Sequence, residues 1–342
     1  MARIGGAPAT STKVYWRRLS RKSRCSEPPP YNKYAVPYSR RILRMRTHSQ
    51  RTGLRWQNAV ASCWIAFCAL TAVARLAMAS PPGTGLSAVV SIADGGPFTL
   101  IRGDEVRQGS KGVTLAAGDI LETGPGAFLV VELPGGSLIG IGPSSGVYLL
   151  PRAAVATLVV LKGWVKADSR AEALSILGLR EGIRSQQAVA ILHADEHSDA
   201  LFDEQGPGTL LLRDAGATHF GKQTRPNEFF VREQRSDAVL LPHPSPDFLA
   251  TMPIAFRDSL PHSTAAQLSR PIEPKPVRKV TYLDIQSWLT LPPDWRTGFI
   301  TRFRHRLTDP AFFAAMDAHL SLHPEWGPIL HPPKPPDGAR PR

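Results

Sequence analysis

Cysteine is scarce in this 342-residue chain, and its placement excludes more than its number. All three cysteines, Cys25, Cys63 and Cys68, precede residue 80. The rest of the chain therefore has no disulfide framework, no thiolate nucleophile and no cysteine metal site. Acidic residues are missing from the same early stretch. Residues 1–79 hold 15 of the 41 Lys and Arg but only one of the 28 Asp and Glu, which leaves 26 basic and 27 acidic residues for the remainder. The net charge of +13 thus belongs to the leader, and the body is near neutral. A phosphate-binding surface over the body is disfavoured, and no nucleic-acid partner is expected. No Gly-rich phosphate loop, paired-carboxylate site or Ser/His/Asp set stands out, so neither a catalytic residue nor a cofactor is assigned and the chain reads as non-enzymatic.

Long apolar runs are absent except for Gln57–Leu76. Arg46, Arg51 and Arg55 precede it and Ala77–Met78–Ala79 follows, which is a basic n-region, an apolar core and a small-residue cleavage site. Residues 45–79 read as a signal peptide cut between Ala79 and Ser80. The alternative is an uncleaved anchor, but the clean run Ala59–Ala74 is about 16 residues, short of the roughly 20 a spanning helix needs. Residues 1–44 are basic and without periodicity. They read as a disordered extension, or as a mis-assigned start with translation beginning at Met45.

What is present is glycine at turns. Gly112–Leu150 alternates short apolar runs with turn signals: Ala117–Gly118–Asp119, Thr123–Gly124–Pro125–Gly126, Pro134–Gly135–Gly136 and Gly142–Pro143–Ser144–Ser145–Gly146. The strongest strand is Ala127–Leu133, with Leu129, Val131 and Leu133 on one face and Phe128, Val130 and Glu132 on the other. Further strands are expected at Thr157–Val165, with a bulge at Gly163, and at Ala188–Leu192, Ala200–Phe202, Thr209–Leu212 and Phe229–Val231. Asp168–Leu179 has a mixed pattern that suits a helical turn or a loop. The fold class is mainly β: one all-β body over 84–241, a sandwich, roll or β-helix, followed by a small C-terminal helical segment.

The Leu115, Gly118–Asp119–Ile120, Thr123–Gly124, Gly136–Ser137–Leu138 and Gly142–Pro143–Ser144 positions resemble the FecR-type domain of bacterial envelope proteins. The likeness covers roughly Ser87–Lys166 and continues thinly through Gln187–Val231. It implies that Gly118, Asp119, Thr123, Gly124, Gly136 and Ser137 are structural motif residues. It also implies sensing, scaffolding or protein–protein interaction in the envelope, with an envelope protein as partner. The expected location is the periplasm, or the inner membrane with a periplasmic body if the leader is retained as an anchor. In that case an anti-sigma type of signalling regulator is the alternative.

Pro242–Lys279 is a Pro-rich linker, with Phe248–Phe256 apolar enough to dock on the β body. Three helices are expected over 280–330. Thr281 and Asp284 form a capping box for the first. Asp294 caps a second, with Trp295, Phe299, Phe303 and Leu307 along one stripe. Asp309 caps a third, with Pro310 at its first position. Residues 331–342 form a disordered tail.

Four groupings invite chemistry. Gly142–Gly146 matches a hydrolase elbow, but a strand rather than a helix follows, so a plain turn is expected. His193, Asp195 and His197 are the candidate metal ligands and would support a metal-dependent enzyme; a solvated loop is the stronger reading. Arg296, Arg302, Arg304, His305 and Arg306 suit an anionic surface or, more simply, the wet face of a helix. Trp164 and Tyr148 would serve a carbohydrate or cell-wall polymer if both were exposed.

Overall fold

The computed structural model describes residues 88–151, 153, 155–214, 217–234, 236–262 and 272–333. The leader, its cleavage site at Ala79 and Ser80, and the tail beyond 333 lie outside the described residues. The described residues fall in one compact unit. Its strands are β1 (Ala88–Asp94), β2 (Phe98–Arg102), β3 (Glu105–Gly109), β4 (Thr114–Leu115), β5 (Ile120–Glu122), β6 (Phe128–Glu132), β7 (Leu138–Ile141), β8 (Gly146–Leu149) and β9 (Ala156–Asp168). They continue with β10 (Leu174–Leu177), β11 (Glu181–Ser185), β12 (Val189–Ala194), β13 (Ser198–Gln205), β14 (Gly208–Asp214), β15 (Ala217–Gln223), β16 (Glu228–Glu233), β17 (Val239–Leu241) and β18 (Lys275–Lys279).

These strands form one sheet folded over on itself into a half-barrel with two leaves. The first leaf runs β4–β1–β6–β7–β9–β12–β13–β16–β17. The second runs β18–β3–β2–β5–β8–β9–β10–β11–β14–β15. Every strand pair is antiparallel except β9 with β10.

The 13-residue β9 belongs to both leaves. Its first half pairs with β8 and β10, and its second half with β7 and β12. The change of leaf falls at Gly163, at φ +87°. A Cβ there would collide with Ser145, so only glycine lets the strand turn at this point. The sequence pattern suggested a bulge at Gly163; the structure makes it the fold line of the sheet.

Three apolar layers follow from the strand alternation. Leu129, Val131, Ile141, Val165 and Leu192 face Leu100, Leu121, Val147, Val160 and Ile183 between the leaves. The outer face of the first leaf, with Val130, Leu138, Trp164 and Ile191, is covered by Phe248, Met252, Phe256 and Leu260 from the linker. The outer face of the second, with Ile101, Ile120, Tyr148 and Val159, is covered by C-terminal residues including Ile285, Trp288, Phe299 and Trp326. Both faces of the strands are buried, and for this reason β6 reads Phe-Leu-Val-Val rather than alternating apolar and polar.

The linker docks through α1 (Pro246–Thr251) and the 3₁₀ turn Ile254–Phe256. Lys166 fixes it: its buried ammonium donates to the carbonyls of Phe256 at 2.8 Å and Asp258 at 3.0 Å, and pairs with Glu204 at 2.6 Å. The helices α2 (Tyr282–Leu289), α3 (Phe299–Phe303), α4 (Pro310–Ala318) and α5 (Gly327–Leu330) follow. Asp284 accepts from the Thr281 amide and hydroxyl, both at 2.7 Å. Asp309 accepts from the Ala311 amide at 3.0 Å and caps α4. The second helix is shorter than its apolar stripe predicts. It starts after Gly298 and passes into a 3₁₀ turn at Arg304. Asp294 is not its cap but pairs with Arg213. Among the described residues no helix is long and apolar enough to cross a membrane.

Candidate functional site

The motif residues lie in three separate turns, before β5, after β5 and before β7. Asp119 is buried and accepts from the Arg102 guanidinium at 3.0 and 2.6 Å and from the Ala116 amide at 2.8 Å. It therefore ties its own turn to β2. The Thr123 hydroxyl donates to the Gly142 carbonyl at 2.7 Å and accepts from the Ser145 amide at 2.8 Å. The Gly124 carbonyl accepts from the Ser144 amide at 2.9 Å. Gly136 lies in the β6–β7 turn, and the Ser137 hydroxyl accepts from the Arg170 amide at 2.9 Å. Gly118, at φ +91°, offers its carbonyl to Arg302 at 2.6 Å. Each of these residues is committed to holding a turn.

Ser144 is the exposed tip of a strand–turn–strand connection, β7 to β8, with no helix after it. His193, Asp195 and His197 are not brought together as a donor set. His193 is the penultimate residue of β12, whereas both Asp195 oxygens are engaged in the following turn. They accept from the amides of His197 and Ser198 at 2.7 and 2.6 Å and from the Ser198 hydroxyl at 3.1 Å. Burial alone would raise the Asp195 pKa, but these donors outweigh it and hold the carboxyl below its ordinary range. Among the described residues no cluster of three His, Cys, Asp or Glu is placed to hold a metal.

The basic segment is not a wet face. Arg302 reaches under the helices and donates to the carbonyls of Gly103, Gly118 and Ile101 at 2.6, 2.6 and 2.7 Å. Burial lowers its pKa to about 10. Arg296 bonds the Leu289 carbonyl and pairs with Glu325 at 2.9 Å. Arg306 donates to the Val280 carbonyl at 3.0 Å, and His305 meets Asp104 at 2.8 Å. Arg304 alone of the five stands exposed without such a contact. Tyr148 lies beneath Trp288 and Phe299, and Trp164 is 6% exposed. Neither offers the open ring face that a sugar platform needs.

Among the described residues, two features stand out as open to a ligand. The first is a cleft of about 780 Å³ at the fold line. Its floor is Gly163, Trp164 and His193, and α2 forms one wall. The Trp164 and His193 rings stack at 4.2 Å, and Phe248 backs Trp164 at 4.9 Å. Burial lowers the His193 pKa against the pull of Asp195, so the imidazole is neutral at pH 7. The second is the edge strand β15, all seven residues of which are exposed, with Phe220 at 65%.

Sequence reasoning missed a buried acid group. In β11, β13 and β16, stepping two residues from the core-facing Ile183, Leu201 and Phe230 brings Glu181, Asp199 and Arg232 to the same inner side. Glu181 is 1% exposed and neither of its carboxyl oxygens has a hydrogen-bond partner. Its pKa is raised to about 8, first by burial and then by Asp199, with Arg232 opposing. Asp199 accepts from the Arg180 amide at 2.6 Å and its guanidinium at 3.1 Å. The signal was the in-phase spacing Asp199–Leu201–Asp203, which the loop reading of His193–Asp199 hid.

No family model and no curated protein matches this chain. Two crystal structures of a candidate anti-sigma factor from Parabacteroides distasonis, at 1.65 and 2.50 Å resolution, match over 36% of this chain with a TM-score of 0.31 and identities of 10% and 9%. The chain spans 59% of the length of those neighbours.

Proposed function

We propose that this chain is an exported, non-enzymatic FecR-type protein of the bacterial envelope that senses or scaffolds by pairing a strand of a partner protein with its own sheet. The observation that carries the reading is the contrast between the sheet edges. β4 and β17 are only two and three residues long. β18 reads Lys-Pro-Val-Arg-Lys, and its proline and cations discourage pairing. β15 is seven exposed residues pairing only with β14 among the described strands, with an aromatic ring at its centre. A strand that long, without proline, is a template for strand addition.

A photocrosslinking side chain placed at Thr218 in living cells tests this. The expected result is a discrete protein adduct that the same label at Val277 on β18 does not give. Equal adducts from both edges, or none from β15, refute the reading. Export is tested separately by the intact mass of protein from an envelope fraction. A chain starting at Ser80 supports a free periplasmic protein. A retained leader moves the reading to a membrane-anchored signalling regulator of the anti-sigma type.

A further inference from the structure

We infer that the cleft at the fold line is a binding site for a small aromatic amine, whose ring stacks on His193 and whose ammonium sits at Asp195 and Glu196. The inference is independent of β15. Its volume of about 780 Å³ falls within the roughly 300–1,000 Å³ that suits a compact organic ligand.

The floor already holds one stacked pair, Trp164 on His193, with Phe248 tilted against Trp164 behind it. His193 is only part-buried and lines the cleft. Its ring nitrogens have no hydrogen-bond partner among the described residues. A further flat ring can pack against the imidazole where it lines the cleft. The rim is apolar where water would otherwise reach the ring. Leu283 and Leu322 stand 79% and 47% exposed on opposite segments of the C-terminal part, and both line this cleft.

The charges select the substituent. Asp195 stays ionised because its own turn donates to it. Glu196 is exposed and its carboxylate pairs with no cation among the described residues. Against these two carboxylates the cleft lining carries one cation, Lys162, and Arg180, which donates to the carbonyls of the same turn, is balanced by Asp199. The balance favours an ammonium over a carboxylate on the ligand.

The test is calorimetric titration of the full chain with three indoles that differ in charge: tryptamine, indole and indole-3-acetate. Tryptamine should bind saturably and tightest. His193→Ala should weaken it about tenfold, the upper range for an aromatic pair. His193→Phe, which keeps a stacking ring, should stay within about twofold of the parent. Glu196→Gln should cost tryptamine about two- to fivefold, as expected for an exposed ion pair, and leave indole unchanged. Thermal unfolding of each variant separates lost binding from lost fold, and Glu196→Gln, selective for tryptamine over indole, carries the test if His193→Ala does not fold. Absence of saturation, equal binding of indole-3-acetate, or unchanged affinity in folded His193→Ala would overturn the assignment.

Discussion

Replacing Glu181 by Gln should stabilise the protein at alkaline pH and leave it nearly unchanged in acid. In the folded chain the Glu181 pKa is raised from 4.5 to about 8. An unfolded chain holds no such environment and ionises at the ordinary value. Between those two pH values the folded state binds the proton that the unfolded state has released, so stability falls as pH rises. The contribution is complete below pH 4.5 and lost by pH 8. At about 1.4 kcal/mol per unit, the loss is about 3 kcal/mol at pH 7 and about 5 kcal/mol at pH 8 and above. Gln cannot ionise and carries no such slope. Its amide meets the same unpartnered surroundings, so any fixed cost of the substitution is independent of pH.

The assay is denaturant unfolding of parent and variant across pH 4–9, plotted as the difference in unfolding free energy. Taking the difference removes Asp203, whose pKa is also raised, to about 6, chiefly by burial. It removes as well the carboxyls held low by partners, such as Asp309 and Asp195. The difference should climb by about 5 kcal/mol from pH 4.5 to 8. A flat difference would mean that Glu181 ionises normally when folded, and the picture of a dry inner acid would be wrong.

Three further substitutions probe the frame. Gly163→Ala should cost at least about 2 kcal/mol, from the left-handed backbone and the collision with Ser145, read as a fall in denaturant midpoint. Asp119→Asn strips the buried partner from Arg102 and should cost about 3 kcal/mol; an unchanged midpoint would show that the pair is not needed for the turn. Phe256→Ala empties a fully buried site over the first leaf and should cost about 3–5 kcal/mol. The same variant should be nicked by protease between residues 246 and 262 faster than the parent, because Lys166 alone cannot hold the linker down.

The β body was legible because its turns are chemically marked. Gly118–Asp119, Thr123–Gly124 and Gly142–Gly146 fall where chain direction must change, and the runs between them became β4 to β8. The caps at Asp284 and Asp309 were legible for the same local reason. The rest depended on distant partners. β10 was read as a loop or helical turn because Leu174–Leu177 borrows its pairing from the start of β9. β15 was passed over because an exposed edge strand has no apolar face to show. Trp295, Phe299 and Phe303 were correctly placed on one buried side, but that stripe runs over two short pieces rather than one helix. The role of Arg302 could not be read: one strand carbonyl and two turn carbonyls select it, and carbonyls leave no trace in a side-chain pattern. Of the open features, the His193 segment drew notice for metal chemistry, whereas the structure gives it a stacking ring and a self-satisfied turn.

The membership of β9 in both leaves has a consequence for how the chain comes together. Residues 88–151 supply strands on either side of the core, and so do residues 174–241, but neither set is joined into a complete unit until β9 lies between them. The strand acts as a seam rather than a border. The two halves are therefore expected to fold together rather than as independent foldons. Cutting at residues 151–155 would yield two fragments that refold only by annealing along that seam, with the fragment that carries β9 as the template for the other.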